Sequence, residues 1–192
     1  MGSYFSIARE VIESHGGTIE KFIGDAVMAV FGLPRAYGDD AEGALDAALE
    51  LRDRVRADPV LGSSLPIRLG LNTGEVVAGP DAVAGSDALI TGDAVNVAAR
   101  LQQRARPWTI LCGARTVRVG ASRFSFGPLD RAEARGRAGA VEAAVLEGRA
   151  TRAPVAPARR RGPCDRSPRL PLLPVPLTRR ADAGSVSRSM AP

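Results

Sequence analysis

Two short apolar runs, TIEKFI at residues 18–23 and AVMAVF at 26–31, are separated only by Gly24 and Asp25. A two-residue Gly-Asp joint between runs rich in aromatic and β-branched residues predicts a tight antiparallel hairpin, because glycine reaches the positive φ that such turns need. The apolar content of both runs predicts that the strands are buried, which leaves Asp25 as a carboxylate held on a rigid turn.

Around this hairpin the spacing of apolar residues predicts the remaining elements. Tyr4, Phe5, Ile7, Ala8, Val11 and Ile12 fall at helical intervals, and His15-Gly16-Gly17 ends that helix, with His15 placed to meet its dipole. Asp39 and Asp40 precede a helical pattern that reaches about Ala57 and is closed by Pro59. Ile67 to Gly74 and Glu75 to Gly79 read as strand, turn, strand. Thr91 or Asp93 is placed to cap a helix that runs to about Ala105 and stops before Pro107. Residues 109–112 predict a strand, 114–119 a short helix, and 123–126 and 141–146 two further strands. Strands grouped with helices on one face predict an α+β sandwich derived from the ferredoxin-like βαββαβ unit.

Charge and proline divide the chain near residue 150. The chain of 192 residues has a net charge of +5, but residues 151–192 hold nine Arg against two Asp, so the first 150 residues carry a net −2. A specific nucleic-acid surface is therefore not expected of the globular part. Eight of the 14 prolines fall after residue 150, so the tail is expected to be extended or disordered, outside the fold. No apolar run reaches the length of a membrane span, and Cys112 and Cys164 lack metal-ligand spacing, so a reducing cytoplasm is the expected setting.

Few residues in residues 1–150 are placed for chemistry. A carboxylate such as Asp25 on a turn suits a hard cation, which takes one or two carboxylates and leaves positions for phosphate oxygens, although Gly-Asp is also ordinary turn chemistry. Lys21 is the only lysine in the chain, against 25 arginines, and strand alternation sets it on the face opposite Phe22. Asn96 and Arg100 are one helical turn apart and Arg104 continues the stripe, an arrangement that suits a phosphate or is simply a solvated face. Gly70, Gly74 and Gly79 allow either close backbone approach or plain bulges.

Read in order, HGGTIEKFIGDAVMAVFG, DDAEGALDAALELR, IRLGLNTGEVVAG, ITGDAVNVAARLQ and ILCG resemble the catalytic domain of class III adenylate and guanylate cyclases, over about residues 4–148. The resemblance implies conversion of ATP to 3′,5′-cyclic AMP and pyrophosphate, with two Mg²⁺ or Mn²⁺ ions held by two aspartates at the interface of a homodimer or of a pair with another cyclase chain. It implies that Asp25 is the second metal aspartate and Lys21 the base-selecting lysine. It also implies that Asn96 orients the ribose and Arg100 stabilises the α-phosphate, both supplied by the other subunit. Leu89 occupies the second base-selecting position, and Arg135 and Arg137 stand where the family has phosphate-touching lysines.

The sequence departs from the family in what precedes the hairpin. The first metal aspartate belongs to an opening strand central to the sheet, yet no Asp precedes Asp25, so a domain cut at its front and weak or absent activity are expected. Leu89 cannot accept a hydrogen bond from an adenine amino group. The alternatives are a non-catalytic module that lends Asn96 and Arg100 to another cyclase chain, or a gene remnant.

Overall fold

A computed structural model describes residues 2–78, 90–132, 141–150 and 169–175. Gly24 has φ +62° and Asp25 stays out of the left-handed region, so the predicted turn forms between β1 (Gly17–Ile23) and β2 (Ala26–Phe31), with Ile23 paired to Ala26. Glycine is required at position 24, since a side chain there would be strained.

Helix α1 (Gly2–Ser14) precedes the hairpin, and α2 (Asp40–Ala57) and the short α3 (Leu61–Ser64) follow it. Then come β3 (Leu69–Glu75), β4 (Val77–Ala78), β5 (Ile90–Thr91) and α4 (Asp93–Arg104). The chain continues through β6 (Ile110–Gly113), α5 (Ala114–Gly120), β7 (Phe124–Phe126), β8 (Asp130–Ala132), β9 (Val141–Arg149) and β10 (Arg169–Val175). The main sheet runs β1-β2-β10-β3-β6-β9-β7, with β8 on β9, and only the β3–β6 pair is parallel. β4 and β5 form a separate two-stranded piece.

Helices on a single face were expected; the structure instead covers the sheet on both. Five of the six residues of β2 are buried. Val27, Ala29 and Phe31 join a core with Tyr4, Val11, Leu45, Leu51 and Phe124, whereas Met28 and Val30 join Ile90, Ala94 and Ala98. Alternate residues of one strand point to opposite faces, so α1, α2 and α5 lie on one side and α4 on the other. The physical reason is legible in AVMAVF itself: an unbroken apolar run needs cover on both faces.

Strand β3 shows how closely α4 is seated. Leu69 and Leu71 face the larger core, while Gly70 and Gly74 face α4 and Asn72 donates from Nδ2 to the Ala94 carbonyl at 3.2 Å. A Cβ on Gly70 would lie 2.4 Å from the Ala98 carbonyl oxygen and from the Gln102 backbone nitrogen. Glycine is there for close approach rather than for a bulge. Gly79 lies outside the described residues.

The tail was expected to lie outside the fold, but Arg169–Val175 form β10, antiparallel to both β2 and β3 and packed between α2 and α4. Unpaired backbone groups facing each other across β2 and β3 explain why an extended apolar segment is drawn in. The other residues from 151 onward lie outside the described residues.

Tyr4 is fully buried and its hydroxyl has no partner among the described residues. Burial first, and the charge of Asp25 second, hold its phenol well above the ordinary range, so it stays protonated. An orphaned buried hydroxyl is a cost, so Tyr4→Phe is expected to stabilise the chain by about 1 kcal/mol in urea unfolding. A loss of stability of that size would show that the hydroxyl has a partner.

Candidate active site

Four of the site residues expected from the sequence lie on described elements, the β1–β2 hairpin and α4. Asp25 sits half-buried at the tip of the β1–β2 hairpin, and among the described residues it makes no hydrogen bond or ion pair. Lys21 lies on β1 opposite Met28, so it shares the face of the sheet on which α4 packs, while Phe22 pairs with Val27 and meets Phe5 on the α1 side.

A β-bulge sets this arrangement. The register slips between Ile19 and Lys21, leaving Glu20 as the extra residue. Without it, Ile19 and Lys21 would share a face; with it, Ile19 and Phe22 both turn toward α1 and Lys21 turns toward α4. The bulge also brings Glu20 beside Lys21, with Nζ 2.8 Å from Glu20 Oε1. The Glu20 side chain is only 3% exposed and the Lys21 side chain 37%. Glu20 Oε1 also accepts a long 3.5 Å hydrogen bond from the Ile90 backbone N–H, and Oε2 has no partner among the described residues. Glu20 was missed by sequence reading because strict alternation places it and Lys21 on opposite faces. Its link to Ile90 ties Lys21 to the residue that follows Leu89.

Helix α4 was expected to start from a Thr91 or Asp93 cap. Its N-cap is Gly92 without any side-chain hydrogen bond, and Asp93 is the first helical residue, where its charge complements the dipole. Ala94, Ala98, Leu101 and Gln102 form the buried face. At about 100° per residue, Asn96 and Arg100 both lie on the side turned away from that face, about 40° apart. Asn96 is accordingly exposed and Arg100 half-buried, and neither pairs with another described residue. They are brought together with each other but directed away from the face that carries Lys21. Leu89, Arg135 and Arg137 lie outside the described residues. His15 ends α1 as expected, and its Nε2 lies 2.8 Å from Glu50 Oε2 of α2, so it ties two helices together.

Fit to metal can be judged from the donors present. Among the described residues no three His, Cys, Asp or Glu side chains converge as a metal cluster. Asp25 alone fits one hard cation that keeps most of its ligands as water and substrate phosphate oxygens. It does not fit a two-ion clamp, which needs a second carboxylate.

The helix-covered mixed sheet and the sequence that forms it are matched by proteins of known class. The family model described as adenylate and guanylate cyclase catalytic domain matches residues 1–148. The chain belongs to that family, and its fold is the α+β cyclase type. Adenylate cyclase 1 of Rhizobium meliloti is 34% identical over 152 residues, 74% of this chain and 23% of that protein. An adenylate cyclase of Mycobacterium tuberculosis is 39% identical over 103 residues, 51% of this chain and 22% of the relative. The matches thus span about a quarter of these curated relatives. Among solved structures, the adenylyl cyclase CyaB from P. aeruginosa superimposes with TM-score 0.65 at 26% identity, over 84% of this chain and 83% of that one. The catalytic core of a rhodopsin-guanylyl cyclase with converted specificity, in complex with ATPalphaS, gives TM-score 0.68 at 26% identity, over 78% and 80%. Among the described residues no helix is long and apolar enough to cross a membrane.

Proposed function

We propose that this chain is an adenylate cyclase-type domain that converts ATP to 3′,5′-cyclic AMP and pyrophosphate, slowly, at a site shared by two chains. Lys21 and Asp25 come from one chain, Asn96 and Arg100 from the other. The observation that carries this reading is the orientation of α4, which turns Asn96 and Arg100 away from their own Lys21.

In the reaction the ribose 3′-oxygen bonds to the α-phosphorus, the bond to the pyrophosphate oxygen breaks, and the 3′ proton leaves to solvent. The Arg100 guanidinium offers planar donors to the α-phosphate oxygens as their charge builds. Asn96 offers an amide to the ribose and fixes the line of attack. Lys21 donates to the base edge, and its ion pair with Glu20 fixes where the ammonium points. With Leu89 unable to accept from an amino group, preference for ATP over GTP rests on Lys21. Arg135 and Arg137 are assigned to the phosphates as cations. A Mg²⁺ or Mn²⁺ ion held by Asp25 would supply charge to the phosphate oxygens, and turnover is slow because no second carboxylate stands beside Asp25 among the described residues.

The test is cyclic nucleotide formation by the purified chain with Mn²⁺ and either ATP or GTP, read by mass spectrometry. Slow formation of cyclic AMP, exceeding cyclic GMP and lost in Asp25→Asn, is the expected result. Equal activity in Asp25→Asn, or cyclic GMP as the main product, would overturn the reading.

The exposed Asn96 and half-buried Arg100 also favour a second reading, in which the chain serves only as a partner to a cyclase that carries both metal aspartates. Mixing it with such a cyclase stripped of its own Asn and Arg should then raise activity, and no gain would end that reading.

A further inference from the structure

Arg104 is the third member of the polar stripe on α4, and the proposed reaction leaves it without a task. Each step of four residues along a helix advances about 6 Å and turns about 40°, so Asn96, Arg100 and Arg104 form one slowly winding line. Arg104 is exposed in the last turn and pairs with no described residue. Arginines on other elements are engaged: Arg54 meets Glu10, Arg123 meets Glu42 and Arg149 meets Asp46. The one acidic residue of α4 is Asp93, about 16 Å back along the axis from Arg104. The line therefore ends in two neighbouring cations that no carboxylate of the described residues neutralises, an arrangement suited to successive phosphates.

We propose that Arg104 binds the leaving pyrophosphate. This rests on the reading above, in which Asn96 faces the ribose and Arg100 the α-phosphate. A nucleoside triphosphate is a linear chain, so a line of side chains that meets the ribose first and the α-phosphate second meets the β-phosphate third. When the bond between the α-phosphorus and the bridging oxygen breaks, its electron pair goes to that oxygen, which leaves as part of the pyrophosphate. One turn beyond Arg100, the Arg104 guanidinium donates N–H groups to the oxygens on which this charge collects, and it never gives up its own charge. A cation in the last turn also complements the helix dipole, and the test separates that role from this one.

The test uses the full chain and two inhibitors of cyclic AMP formation, pyrophosphate and AMP, the second of which ends at the α-phosphate. Their binding is also read by calorimetry, independently of turnover. Arg104→Ala is expected to weaken pyrophosphate at least about ten-fold and to leave AMP unchanged. Arg104→Lys keeps the charge at the helix end without the planar fork, and should fall between the two. A residue that serves only the dipole would leave both ligands unchanged in Arg104→Ala, and one that only holds the helix in place would weaken both alike; either result would overturn the proposal. An equal mixture of Arg104→Ala with Asp25→Asn should exceed the sum of its components, and a mixture with Arg100→Ala should not, because Arg104 and Arg100 serve the same side of the site. The reverse pattern would also overturn it. If the unaltered chain binds neither ligand, the site itself fails and this inference with it, whereas intact binding with no effect of Arg104→Ala removes Arg104 alone.

Discussion

Replacing Arg100 by alanine is expected to lower cyclic nucleotide formation by about 10²–10³-fold, the usual effect of removing one preorganised donor to a developing phosphate charge. The melting temperature should hardly move, because Arg100 lies half-buried on the outer side of α4 and pairs with no described residue. The loss should fall on kcat rather than KM, since the guanidinium is assigned to charge that grows only as the 3′-oxygen attacks. Activity within a factor of about three of the unaltered chain would remove Arg100 from the site.

Gly70→Ala is expected to act through structure instead. The new Cβ would sit 2.4 Å from two backbone atoms of α4, the Ala98 carbonyl oxygen and the Gln102 nitrogen, and 2.8 Å from Gln102 Cβ. Backbone atoms cannot rotate aside, so the helix must lift from β3. Overpacking of this kind costs about 3 kcal/mol, which for a chain of this size lowers the melting temperature by about 6–12 °C. Cyclic nucleotide formation should fall as well, because the helix that moves carries Asn96 and Arg100. A shift under about 1 °C by calorimetry would mean that α4 is not seated on Gly70.

The hairpin, α2 and α4 were legible in the sequence because each is written in local terms: a Gly-Asp turn between apolar runs, and apolar residues at helical intervals. The cap of α4 was misplaced by a residue, since Gly92 does the capping without a side chain. What covers AVMAVF could not be read from AVMAVF. An apolar run announces burial, but only the packing shows that α1 and α2 take one face and α4 the other.

Two features were hidden for different reasons. Glu20 beside Lys21 depends on a bulge, and a bulge is a register event between two strands that neither strand states alone. β10 was hidden because LPLLPV reads as proline-rich tail. Its place in the sheet follows from what β2 and β3 leave unpaired, not from its own propensity. Of the expected site residues, Asp25, Lys21, Asn96 and Arg100 can be given positions, and the roles assigned to them rest on the family resemblance.

The central claim, one site built from two copies, is tested most directly by mixing two variants that are each defective for a different reason. Asp25→Asn removes the carboxylate from one side of the site and Arg100→Ala the guanidinium from the other. In an equal mixture of a head-to-tail dimer, half the dimers pair unlike chains and each of these keeps one intact site. Cyclic AMP formation should then recover to about a quarter of the unaltered chain's rate. A mixture no more active than the sum of its two components would contradict a site shared between copies.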